Sequence, residues 1–261
     1  MGILRRRTPW EQEFRAAWKE EQRFLKQYEV QKETLLEQKA VELAPEKLTE
    51  LLHTGFEKAF TMLYEKGAGQ GGLAKRRETY RLQTYAAELR EDHRNLRAFA
   101  KSAGRAGRRN VLVSGAAGIG MGFLGVALPD IPLFAALTLR SVYGIGESYG
   151  FSCQEEAERL YALRIIETAL SYGAELRQGN ARLERFEQTG VWQEEPERAE
   201  QLHRTARNLS TALLCGKALQ NIPVAGAVGG AGDAVCLRRI QRYACIRYRK
   251  RFLLRRKLAE R

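Results

Sequence analysis

The sequence predicts an all-α fold, a multi-helix bundle with two glycine-rich apolar segments packed at its centre. Three observations predict it. Apolar residues recur at three- and four-residue steps through long stretches, the period of a helix with one buried face. All six prolines fall at the edges of such stretches, where a missing N–H is tolerated. Nowhere do valine-rich runs bounded by turns alternate with helical patterns, as a parallel sheet requires.

The elements follow in order. The start, Met1-Gly2-Ile3-Leu4-Arg5-Arg6-Arg7, is basic but leads into no apolar run of signal-peptide length. Arg6 stands where an N-myristoylation signal has Ser or Thr. The chain is therefore expected in the cytoplasm. Trp10 to Ala44 reads as a long amphipathic helix with Phe14, Trp18, Leu25 and Tyr28 on one face. Pro45 opens a second helix, Glu46 to Lys66, and residues 1–45 are set apart from a helical domain over 46–261. Glycines 67, 69, 71 and 72 mark a connection. Leu73 to Arg109, rich in Ala, Leu, Glu and Arg, predicts one continuous helix.

Val111 to Pro129 then contains no charge and five glycines. Asp130 is placed to cap the next helix, with Pro132 in its first turn and Gly150 just past its end. Ser152 and Glu155 have capping-box spacing for a helix ending near Gly179. A polar connection with Trp192 leads to Pro196 and a helix reaching Gln220. A second uncharged glycine-rich segment, Asn221 to Gly232, passes into a basic C-terminal helix.

That helix concentrates the charge. The chain carries a net +13, and Leu237 to Arg261 holds eleven Lys or Arg against one acid, Glu260. The other 236 residues are close to balanced, so a negatively charged partner should meet this one element. Leu237, Ile240, Ala244, Tyr248 and Phe252 form its apolar stripe, bordered by Arg238, Arg239, Arg242, Arg249, Lys250, Arg256 and Lys257. Such a helix suits an anionic membrane surface; charge neutralisation also suits nucleic acid without sequence preference.

The first glycine segment admits three readings. Gly120, Gly122 and Gly125 satisfy GxGxxG, but no βαβ context surrounds them and Pro129 interrupts the helix that would receive a phosphate. A nucleotide-dependent enzyme is therefore the last-ranked class. Nineteen uncharged residues reach the length needed to enter a membrane, on the order of 20. In the favoured reading the two segments cross inside the protein, with Gly118, Gly122, Gly226 and Gly230 at the contact. Arg140, within an apolar run, is expected to pair with Glu147 or with an acid such as Asp233.

Catalytic and metal signatures are not found. His53, His93 and His203 lie far apart, in no HExxH context, and read as surface or boundary residues. The four cysteines form no CxxC pair and read as structural thiols. No GxSxG elbow and no GKS or GKT loop occurs. No cofactor and no metal is expected.

Gly118-Ile119-Gly120, Leu128-Pro129-Asp130-Ile131-Pro132-Leu133, Leu139-Arg140 with Tyr143, Tyr149-Gly150-Phe151, and Ile222-Pro223-Val224 with Gly226, Ala227 and Gly229 occur in this order. Together they resemble the EcsC family, over about Leu48 to Phe252. That family takes its name from a bacterial protein encoded beside two components of an ABC transporter. The resemblance implies no established activity, and its tie to a transporter is one of gene neighbourhood. Taken with the basic helix, it leads to the expectation of a non-enzymatic accessory protein at the inner face of the cell membrane, beside a transporter. A nucleic-acid-binding protein using the same basic helix is the alternative.

Overall fold

The computed structural model describes residues 7–30, 46–66, 73–106, 131–192, 198–220 and 231–259. These form α1 (Pro9–Val30), α2 (Glu46–Lys66), α3 (Leu73–Leu89), α4 (93–106), α5 (Ile131–Ser148), α6 (Glu156–Leu170), α7 (Gly173–Thr189), α8 (Arg198–Gln220) and α9 (Ala231–Ala259). No strand occurs among the described residues, and the fold is an all-α bundle. Both glycine-rich segments lie outside the described residues. So do Gly118, Gly122, Pro129, Asp130, Pro223, Gly226, Gly229 and Gly230, the proposed crossing they would make, and residues 31–45 of the expected N-terminal helix.

α9 is the axis on which the others are laid. It packs against α1, α5, α6 and α8, and its stripe of Leu237, Ile240, Ala244, Tyr248 and Phe252 is at most 6% exposed. α1 runs antiparallel to it: Trp10 Nε1 donates to Leu253 O at 2.8 Å, while Gln27 meets Arg242. α5 runs parallel to it, since Ser141 meets Gln241, Gly146 lies under Tyr248, and Tyr149 meets Phe252. Burying a large aliphatic or aromatic side chain contributes about 1.5–3 kcal/mol, so this shared core joins α1 to the rest of the bundle.

Several expectations hold and several are corrected. α2 has the expected bounds. α5 ends as expected: Gly150 takes φ +82°, Phe151 N–H donates to Gly146 O and Gly150 N–H to Glu147 O. The Tyr80 ring fills the space a Cβ would need there. In α1 the buried stripe is Trp10, Glu13, Ala17, Glu21 and Phe24. Trp18, expected on the packed face, is 48% exposed. A hydrophobic periodicity misses a stripe whose members include two ion-paired glutamates.

The continuous helix expected over 73–109 is broken at 90–92. Asp92 Oδ1 accepts the Asn95 N–H at 2.8 Å, and Asn95 Nδ2 donates to the carbonyls of Ala86 in α3 and of Arg90 just beyond it. These local bonds compete with the helix ladder and stop it. The expected capping box does not form: the N-cap of α6 is Glu155, without a side-chain cap, and Ser152 Oγ accepts from Arg77 instead. α6 ends at Leu170 rather than near Gly179. Gly173 at φ +52° turns the chain into α7. Gly179 sits inside α7, where an added Cβ would lie 2.5 Å from Thr168 Oγ1. It permits a close helix crossing rather than ending a helix.

Candidate functional site

The cations of α9 divide into two groups. Arg247 is fully buried. Its Nε donates to Glu187 at 2.8 Å and its Nη1 to Asn180 Oδ1 at 2.9 Å, and it also reaches Glu21. Lys250 bonds Glu21 at 2.6 Å and also pairs with Glu184. Arg251 grips both oxygens of Glu158, at 2.8 and 2.6 Å, beneath the rings of Phe151 and Tyr161. Arg239 donates to Ser171 O at 2.8 Å with its guanidinium between Tyr28 and Tyr172. Arg249 pairs with Glu13 and Glu20, and Arg256 with Ala87 O and Glu91.

These partners set the electrostatics. Burial pushes the Glu13 carboxyl up, but hydrogen bonds from His93, Arg97 and Arg249 outweigh it and hold its pKa below the ordinary value. At Glu187 burial dominates and leaves the pKa raised, despite Arg247, Tyr161 and Lys250. Among the described residues the buried charged side chains are glutamates 13, 21, 147, 158 and 187 together with Arg164, Arg239, Arg247 and Lys250. The buried charges nearly cancel, so none of the chain's +13 comes from them.

Of the seven basic residues singled out in the sequence, Arg239, Arg249, Lys250 and Arg256 are thus committed to contacts within the protein. Arg238, Arg242 and Lys257 are exposed. Arg242 donates to Gln27 at 2.9 Å, and Lys257 lies over the Trp10 ring. The Arg242–Gln27 bond sets Arg242 against the second half of α1, which carries the exposed Arg23 and Lys26. Arg238 and Arg242 lie in the first half of α9, and because α5 and α9 are parallel this is the half that begins beside the start of α5. Each of these helices directly follows a glycine-rich segment in the chain. Pro132 and Arg140 of α5 are exposed as well, and Asp233 is in the first turn of α9.

Arg140 does not pair with Glu147. The seven-residue separation is about 10.5 Å of helix rise, whereas Arg77 of α3 reaches Glu147 directly at 2.8 and 3.0 Å. Glu147 also accepts the Cys153 N–H. Burial first, then Glu147, pushes the Cys153 thiol up to about 11, which keeps it a protonated, poor nucleophile.

The sequence profile of the EcsC protein family matches residues 11–253. The chain belongs to the EcsC family. No curated protein and no solved structure matches it. The family match begins at Glu11 and so takes in nearly all of α1, well before the Leu48 at which the resemblance was legible.

One constellation in this EcsC-family chain escaped the sequence. His53 and Glu57 stand one turn apart on α2, and His203 of α8 comes up beside them. His203 Nδ1 lies 3.1 Å from Glu57 Oε2, the two imidazole centroids are 4.5 Å apart, and one donor atom from each residue lies within 4.8 Å of the others. His53 Nε2 is buried without a hydrogen-bond partner among the described residues. The i, i+4 spacing of His53 and Glu57 was the only available signal, because His203 arrives by tertiary packing. His93 lies elsewhere, 3.0 Å from Glu13.

Proposed function

We propose that this EcsC-family protein is a non-enzymatic accessory protein that rests one end of its bundle on the anionic inner face of the cell membrane, beside a transporter. The observation that carries the reading is the exposure of Arg238 and Arg242 on the first half of α9 and of Arg23 and Lys26 on the part of α1 that Gln27 ties to Arg242. A basic residue near anionic lipid contributes about 1 kcal/mol, so four acting together supply on the order of 4 kcal/mol. That is roughly a thousandfold in partitioning. Among the described residues no helix is long and apolar enough to cross a membrane, and the reading needs none.

Co-sedimentation with vesicles tests it. The protein should bind phosphatidylglycerol-containing vesicles, release them as salt rises, and ignore phosphatidylcholine vesicles. Equal binding to neutral vesicles would overturn the reading. Tighter binding to duplex DNA than to anionic lipid at the same salt would assign the patch to nucleic acid.

A further inference from the structure

We propose that His53, Glu57 and His203 form a binding site for a zinc-class divalent ion that bridges α2 and α8. Two imidazoles and a carboxylate are a donor set suited to zinc and its transition-metal neighbours. Bonds of about 2.0–2.2 Å in a tetrahedral array place ligand atoms roughly 3.4 Å apart. The His203 Nδ1 to Glu57 Oε2 separation of 3.1 Å is close to that edge. The widest separation among the three donor atoms is no more than 4.8 Å, so closure needs a shift of at most about 1.4 Å relative to that edge length. The His203 side chain is 51% exposed, so one side of the ring faces solvent.

The second observation is independent of that spacing. A buried imidazole nitrogen without a partner carries a desolvation cost, and among the described residues His53 Nε2 is such an atom. A metal bond at Nε2 itself would offset it. The surroundings are permissive. Glu200, one turn before His203, is occupied by Arg204 and does not compete for the ion. Three protein ligands with an exposed side leave the fourth position to water, the composition of an open and exchangeable site. Ligands from two helices that already pack together would tie that interface more firmly, because an ion that binds only the folded chain shifts unfolding by mass action.

The test uses the full-length, untagged, metal-free protein and two ions, zinc and cobalt. Calorimetry should give one zinc per chain, cobalt should develop the visible absorption of a tetrahedral site, and zinc should raise the melting temperature. His203→Ala, at a half-exposed position, should weaken zinc binding by more than the roughly 10–100-fold typical of losing an outer-sphere partner. Glu57→Gln should weaken it too, while His93→Ala should bind as the parent does. Absence of saturable one-to-one zinc binding, or unchanged affinity in His203→Ala, would overturn the proposal and leave a hydrogen-bonded His–Glu contact. Neither result bears on the vesicle experiment, since the basic patch shares no residue with this site.

Discussion

Arg247 and Arg242 stand five residues apart on α9, and the bundle treats them in opposite ways. Arg247 is fully buried among Glu21, Glu187 and Asn180, whereas Arg242 is exposed and its bonded partner is the neutral Gln27. The same division runs along the helix. Arg239, Lys250 and Arg251 meet carbonyls, carboxylates and rings within the protein, and Arg238, Arg255 and Lys257 are exposed. A basic helix read from composition alone is a single functional object. Packed, it is a structural axis with a limited set of cations left for a partner.

The largest expected effect sharpens that division. Ending the chain at Arg238 removes the counter-charges of Glu21, Glu158 and Glu187 along with the apolar stripe from Ile240 onward. The truncated protein should show no cooperative thermal transition by circular dichroism, so its failure to bind vesicles would say nothing about lipid. A stable, cooperative truncation would break the claim that α9 is the axis.

Next in size is Arg247→Met. Removing one member of a buried ionic cluster costs about 3–5 kcal/mol, because Glu21 and Glu187 are left facing apolar surroundings. Urea denaturation should show that loss with little change in the slope. A variant within 1 kcal/mol of the parent, a small effect on the usual scale, would place Arg247 among the dispensable charges.

Glu13 tests the division through pH. Its folded pKa lies below its ordinary value of 4.5. The stability that its ionised form contributes is therefore present above 4.5 and is lost as pH falls through the lower folded value. Glu13→Gln should destabilise the protein at neutral pH by roughly 1.5–3 kcal/mol, the range for hydrogen bonds to charged groups. The gap in melting temperature between variant and parent should close as pH drops below 4.5. A gap that stays constant into acid would show that the Glu13 contacts with Arg97, Arg249 and His93 act through shape rather than charge.

Much of the helix plan was legible because local chemistry decides it. The glycine at 150 and the bounds of α2 follow from turn and helix signals a few residues long. The breaks at 90–92 and 171–172 were not legible, since the polar groups involved, Asp92, Asn95 and Ser171, are compatible with a continuous helix until their bonds are made. The site was legible only as a pool of candidates. Which arginine is buried depends on where Glu21 and Glu187 arrive, 226 and 60 residues away. Arg77 displaced the expected Arg140 as partner of Glu147 for the same reason. His53 and His203, 150 positions apart in the chain, become neighbours only when α2 meets α8.

The smallest expected effect on stability belongs to the variant that bears most on function. Arg238→Glu with Arg242→Glu changes two exposed side chains and should leave unfolding within about 0.5 kcal/mol of the parent. Partitioning onto phosphatidylglycerol vesicles at low salt is the decisive measurement. The account predicts a fall of at least about 30-fold, the effect of losing two cations worth about 1 kcal/mol each. Undiminished binding by a folded double variant would contradict it.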